Sequence, residues 1–108
     1  MLLFKKKFLD AIRSGEKAQT IRLWKHRQMR AGQRSYIPGV GYIRIEAVEP
    51  VALDSLNDQD ARLDGFDSAM ELHAELRDMY PDQLAAGYQP FRVTFAILPP
   101  EEQHKLAK

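Results

Sequence analysis

Lys17, Thr20 and Arg22 place an amine, a hydroxyl and a guanidinium within six residues. A threonine hydroxyl is a poor nucleophile at its own pKa and needs a base beside it. Lysine can be that base only when neutral. Partial burial, or a neighbouring cation such as Arg22 or Lys25, lowers its pKa toward that state. Cleaving an amide also requires an acid that protonates the leaving nitrogen. The spacing does not single that acid out. Asp64, set before Gly65 at a helix end, is one candidate, and an ordinary helix cap is its plain alternative. For Lys17, Thr20 and Arg22 together, the plain alternative is a strand with a solvated polar face.

The elements that must position these groups can be read around them. Phe4, Phe8 and Ile12 recur at helical spacing, so a helix is expected from about residue 5 to residue 13. Gly15 follows as its left-handed cap. A tight turn then carries Lys17. From Thr20 to Trp24 the chain alternates, with Thr20, Arg22 and Trp24 on one side and Ile21 and Leu23 on the other. Residues 25–30 are basic and aperiodic and read as a loop. Residues 2–4 and 35–37 read as short strands. Residues 42–48 read as a longer one, with Ile43, Ile45 and Ala47 inward and Tyr42, Arg44 and Glu46 outward.

The next segment is helical. Asn57 or Asp58 caps a short helix that Asp64-Gly65 ends. Ser68 and Glu71 have capping-box spacing, and Ala69, Leu72, Leu76, Met79 and Tyr80 form the apolar face of a helix that Pro81 stops. Met70 is expected in the core and His73 in a structural role. Phe91, Val93, Phe95 and Ile97 alternate as a last strand. Ile21, Leu23, Ile43, Ile45, Val93 and Phe95 are the expected barrel interior.

Short alternating strands with Gly/Pro turns and few helices favour an α+β fold, a small mixed β-barrel with flanking helices. One domain over residues 1–98 is expected, followed by a flexible tail over 99–108.

Composition narrows the chemistry. The chain has no cysteine, which excludes disulfides, thiolate metal sites and a cysteine nucleophile and suits a reducing cytoplasm. His26, His73 and His104 have no ligand spacing around them, so no metal site and no cofactor are expected. No signal peptide and no membrane span is legible, and the protein is expected to be soluble. Charge is uneven: residues 1–44 hold 11 Lys/Arg against 2 Asp/Glu, net +9, and residues 45–108 hold 5 against 13, net −8. A basic face implies an anionic partner such as RNA or a nucleotide. The competing explanation is that the two halves pack with interleaved charges. Arg22, Lys25 and Arg30 are expected to border the same concavity as Thr20.

Taken together, Gly15-x-Lys17-x-x-Thr20-x-Arg22, the Asp64-Gly65-Phe66 turn, the helix ending at Tyr80 and the last strand resemble the ASCH domain, a branch of the PUA-like superfamily. The resemblance runs over residues 3–98. It implies a five- or six-stranded barrel, a cleft beside the signature strand and a function connected with RNA. A bacterial subgroup of similar length hydrolyses N4-acetylcytidine to acetate and cytidine. By that likeness Lys17 and Thr20 match the catalytic lysine and threonine. Asp64 falls where the subgroup has glutamate, with its carboxyl one methylene further back. Ala18 stands where threonine is common.

Two functions are thereby expected. As an amidohydrolase, Thr20 is the nucleophile, Lys17 its base and Asp64 the acid. Arg22 and Lys25 then contact the substrate, and Trp24 or Tyr36 stacks on the base. As an RNA-binding module, the basic half tracks a backbone while Trp24 and Tyr42 stack exposed bases.

Overall fold

The computed structural model describes residues 1–106. Four strands form one antiparallel sheet in the order β1-β4-β3-β2: β1 (Gln19–Trp24), β2 (Arg34–Ile37), β3 (Gly41–Pro50) and β4 (Gln89–Ile97). Around it lie α1 (Leu9–Ser14), α2 (Asp58–Leu63), α3 (Ala69–Met79), α4 (Pro81–Ala85) and α5 (Pro100–Leu106). The fold is α+β and PUA-like, with the sheet curled into a half-barrel. Among the described residues there are four strands, fewer than the five or six the resemblance implied. Residues 2–4 form none; Leu2 N–H donates to Tyr36 O at the edge of β2 instead.

Register decides which way the signature strand faces. Thr20 lies opposite Val93 and Arg22 opposite Phe91, and residues directly opposite share a face. Thr20, Arg22 and Trp24 therefore point to the side where Ile12 of α1 packs with Ile37, Ile43, Ile45, Val93 and Phe95. Ile21 and Leu23 are buried on the opposite face, against Ala61 of α2 and Leu72 and Leu76 of α3. The expected barrel interior thus divides into two clusters. The polar face of β1 turns inward, so it is not a solvated face.

Three local readings change. A bulge at Glu46 shifts the β3 register between Ile45 and Ala47, so Val48 is buried and Ala47 only half-buried. Met70 is 80% exposed, because it falls on the solvent side of the first turn of α3. Residues 100–106 form α5, not a loose tail: Pro100 opens the helix, and acidic residues follow in its first turn. Gln103 anchors it by accepting from Tyr42 N–H at 2.8 Å and donating to Tyr42 O at 2.7 Å.

Among the described residues no helix is long and apolar enough to cross a membrane.

Candidate active site

Lys17 reaches the site from the turn between α1 and β1. Gly15 caps α1 at φ +87°, and Lys17 N–H donates to Ala11 O at 3.0 Å, which folds the turn back on the helix. Asp64 reaches it from the opposite direction, as the C-cap of α2. The start of α2 is fixed by a reciprocal box in which Asn57 accepts from Asp60 N–H and Asp60 accepts from Asn57 N–H. Its flank is fixed by Arg92, which donates to Asp60 at 2.7 Å, and by Gln19, whose amide donates to Asp60 O at 3.2 Å. Gly65 then turns the chain at φ +93°; a Cβ there would stand 3.1 Å from Phe8 and 3.3 Å from the Lys17 stem. Glycine at this position serves both the turn and the close passage of the lysine.

The two charged groups meet inside the protein. Lys17 is 2% exposed and Asp64 4%. Lys17 Nζ donates to Gln19 O at 3.0 Å and to Asp64 O, and it stands 3.3 Å from Asp64 Oδ1. The rings of Phe8 and Phe4 cover it, with centroids 5.0 and 5.5 Å away. Asp64 Oδ1 lies at ion-pair distance from the amine without the alignment of a hydrogen bond, so this buried oxygen has no hydrogen-bond donor. Burial lowers the Lys17 pKa below the ordinary lysine value, against the pull of the Asp64 charge, and Arg22 lowers it further. Burial likewise pushes the Asp64 carboxyl up to about 6, although Lys17, Arg22 and the Ile21 N–H favour its ionised form.

Thr20, 5% exposed, is the third member. Its Oγ1 accepts from Arg22 Nε at 3.1 Å, which leaves its own proton free to be given to a base. Arg22 also donates to Leu3 O at 2.6 Å and lies over the Phe4 ring at 4.8 Å.

Lys17, Thr20, Arg22 and Asp64 line one cleft of about 50 Å³. That is room for a few water molecules. Phe4, Phe8 and Phe66 share its walls, and Leu3, Lys5, Glu75 and Met79 add to its lining. Lys5 pairs with Glu75 at 2.6 Å, so residues 3–5 lie across the cleft as a strap tied to α3.

The other residues expected to contact substrate lie elsewhere. Trp24 packs on Phe91 with ring centroids 5.4 Å apart and borders a neighbouring trough. Lys25 is exposed beyond the end of β1, where the chain bends away, and does not line the cleft. Arg30 borders a separate concavity with Arg27. Tyr36 projects outward from β2, edge-to-face with Tyr42 at 4.9 Å. Its alternation with the buried Ser35 and Ile37 puts it on the far side of the sheet from Thr20. Sequence reading missed the aromatic walls. Phe4 and Phe8 were legible only as a core stripe, and Phe66 only as part of a turn. Among the described residues no three His, Asp or Glu side chains gather as a metal site would need.

No protein-family model matches the chain, and no curated protein matches it in sequence. Solved structures do. The hypothetical protein PH0355 superposes with a TM-score of 0.75 at 16% identity, covering 89% of this chain and 95% of that one. Protein PF0455 from Pyrococcus furiosus gives 0.65 at 19% identity, covering 86% and 91%. An ASCH domain from Lactobacillus crispatus gives 0.67 at 15% identity, covering 81% of this chain and 67% of that one. With four antiparallel strands in a curled sheet and helices at its flanks, the chain has an ASCH-type fold.

Proposed function

We propose that the chain hydrolyses an amide on a modified nucleobase, of the N4-acetylcytidine type, in a cytoplasmic setting. The observation that carries this reading is the buried Lys17–Asp64 pair beside Thr20, with Asp64 Oδ1 lacking a hydrogen-bond donor. Buried titratable pairs with opposed pKa shifts are typical of sites that move protons.

One internal proton transfer, from the Lys17 ammonium to Asp64 Oδ1, yields a neutral amine and a carboxylic acid. Both charges vanish together, which burial favours. Thr20 Oγ then attacks the carbonyl carbon while Lys17 takes the hydroxyl proton. The C–N bond breaks, Asp64 gives its proton to the leaving nitrogen, and the acyl group stays on Thr20 as an ester. Water attacks the ester, with its proton passing to the Asp64 carboxylate. Lys17 returns a proton to Thr20 Oγ, and the carboxylic acid leaves as product. Lys17 and Asp64 end as they began. Arg22, already on Thr20 Oγ1, supplies positive charge near the developing oxyanion. A nucleobase needs more room than the cleft offers, so binding displaces the Phe4 ring and the strap of residues 3–5.

The test is incubation of the purified protein with N4-acetylcytidine, with chromatography for cytidine. Release that Thr20→Val and Lys17→Met both abolish is the expected result. Val is close to Thr in shape and suits a strand, so the fold should survive. No release at any enzyme concentration contradicts the reading. An RNA-binding module without chemistry is the second reading, and it draws on the basic loop between β1 and β2.

A further inference from the structure

We propose that residues 3–5 occupy the cleft in place of the substrate, and that the Lys5–Glu75 ion pair is the latch that holds them there. This rests on the reading that the cleft hydrolyses an amide on a ring, and it concerns how access to that site is regulated.

The occupant has the parts of such a substrate. Arg22 donates from Nε to Thr20 Oγ1 at 3.1 Å and from Nη2 to Leu3 O at 2.6 Å. Nε and Nη2 lie on one edge of the guanidinium, so the hydroxyl oxygen and a peptide carbonyl oxygen stand side by side on it. An acyl substrate must bring its own carbonyl oxygen into the same relation with the hydroxyl before attack. A flat ring follows the carbonyl. Phe4 lies over Arg22 at 4.8 Å and over Lys17 at 5.5 Å, and its far side meets Phe95 at 5.8 Å. With amide and ring in place, about 50 Å³ is left, too little for a nucleobase.

The segment can lift without unravelling the fold. Leu2, 4% exposed, is fixed by its N–H to Tyr36 O at 2.9 Å, and Lys5 O accepts from Phe8 N–H at 3.0 Å. Between these anchors, the Leu3, Phe4 and Lys5 N–H groups and the Phe4 carbonyl have no backbone partner among the described residues. No sheet or helix bond has to break for the strap to rise. What holds it is the Arg22 bond, the Phe4 ring and the Lys5 ammonium, which meets Glu75 Oε1 at 2.6 Å from across the cleft. Lys7 stands 3.9 Å from the same oxygen. The Lys5 side chain is half in solvent, so this tie is weak and salt-sensitive. It sets an equilibrium between closed and open strap and does not seal the site.

Substrate binds the open form alone. Its apparent affinity is therefore reduced by the fraction of molecules that are open. Loosening the latch lowers KM by the factor by which that fraction grows. It leaves kcat alone, because the strap has already left when Thr20 attacks.

The experiment compares the full chain with Lys5→Gln, Glu75→Gln, the double variant and Glu101→Gln, an exposed change on α5. One readout is KM and kcat for N4-acetylcytidine at rising sodium chloride. The other is reductive methylation of Lys17 by formaldehyde, relative to the exposed Lys25, mapped by peptide mass spectrometry. Each latch variant is expected to lower KM about twofold to fivefold at constant kcat, the range for a partly exposed ion pair, and to speed Lys17 methylation similarly. The double variant should add nothing further, since both changes break one contact. Salt should bring the unaltered chain toward the variants, and Glu101→Gln should match the unaltered chain. Lys5→Gln and Glu75→Gln shift the local charge in opposite directions, so a purely electrostatic effect on substrate or amine would have opposite signs in the two. Such opposite signs, a raised KM in either variant, or unchanged methylation in both would overturn the proposal. Cytidine release with KM and methylation unchanged removes the latch and leaves the reaction. Faster methylation in both variants with no cytidine release removes the reaction and leaves the latch.

Discussion

Asp64 is one methylene shorter than the glutamate its position suggested, yet its carboxylate reaches the lysine. It does so because α2 ends beside Lys17, with the Asp64 carbonyl taking one lysine proton and the carboxylate standing 3.3 Å off. Lengthening the side chain then crowds a filled place. Asp64→Glu is expected to cost ~1–3 kcal/mol of stability in a denaturant titration, as overpacking usually does. The pair also sets the pH behaviour. The reactive form holds one proton between two groups, so its apparent pKa values belong to the pair. kcat/KM should rise as pH passes about 6, where the doubly protonated pair loses its first proton, and fall again below the ordinary lysine value, where the second is lost. A profile flat from pH 5 to 9 would exclude both groups from the chemistry. Stability has its own sign. The folded Asp64 keeps a proton between pH 3.8 and about 6 that the unfolded chain has lost, so this group's contribution falls as pH rises across that window. Lys17→Met removes the charge that favours the carboxylate. The Asp64 pKa should then climb further, read by carboxyl carbon NMR. The Lys17–Thr20–Arg22 spacing was visible in the chain because it is local. The Lys17–Asp64 contact spans 47 positions and rests on packing that no spacing reports.

At the level of elements, the strand and helix periods were legible wherever one face meets a core. Alternation set the sidedness of β1, and the Asn57, Ser68 and Gly15 caps fall where the turn chemistry puts them. Two things hid from the pattern. β1 is covered on both faces, so alternation alone could not say which side was interior; register against β4 decides it. The Glu46 bulge reverses alternation midway through β3, and nothing in the residue types there announces it. Phe95, 3% exposed and with its ring tilted against Phe4 at 5.8 Å between centroids, ties the sheet to the strap. Phe95→Ala should cost ~3–5 kcal/mol, checked by chemical denaturation; a loss below ~1 kcal/mol would contradict the register. Gly65→Ala places a Cβ against Phe8 and the Lys17 stem at a positive φ. It is expected to destabilise the chain and, through Lys17, to lower turnover more than it raises KM. Unchanged kinetics would show that the turn does not position the lysine.

For the whole molecule, the uneven charge of the chain has two fates. Part of it is packing: Lys5 and Lys7 pair with Glu75, and Lys17 with Asp64, each joining the basic half to the acidic one. The β1–β2 loop stays outside that exchange. The strap of residues 3–5 connects the two regimes, since Arg22 holds Leu3 and Glu75 holds Lys5 across the same cleft. Phe4→Ala is therefore expected to open the cleft and lower KM for a free nucleoside, at some loss of thermal stability from the vacated ring. A raised KM with normal stability would mean that Phe4 binds substrate and does not cover it.

The most direct measurement is mass spectrometry of the protein quenched during a single turnover of N4-acetylcytidine. One added acetyl group, mapped to the peptide carrying Thr20 and absent in Thr20→Val, is the expected result. Acetyl on Lys17, or full turnover by Thr20→Val, would contradict the assignment of Thr20 as nucleophile and Lys17 as its base.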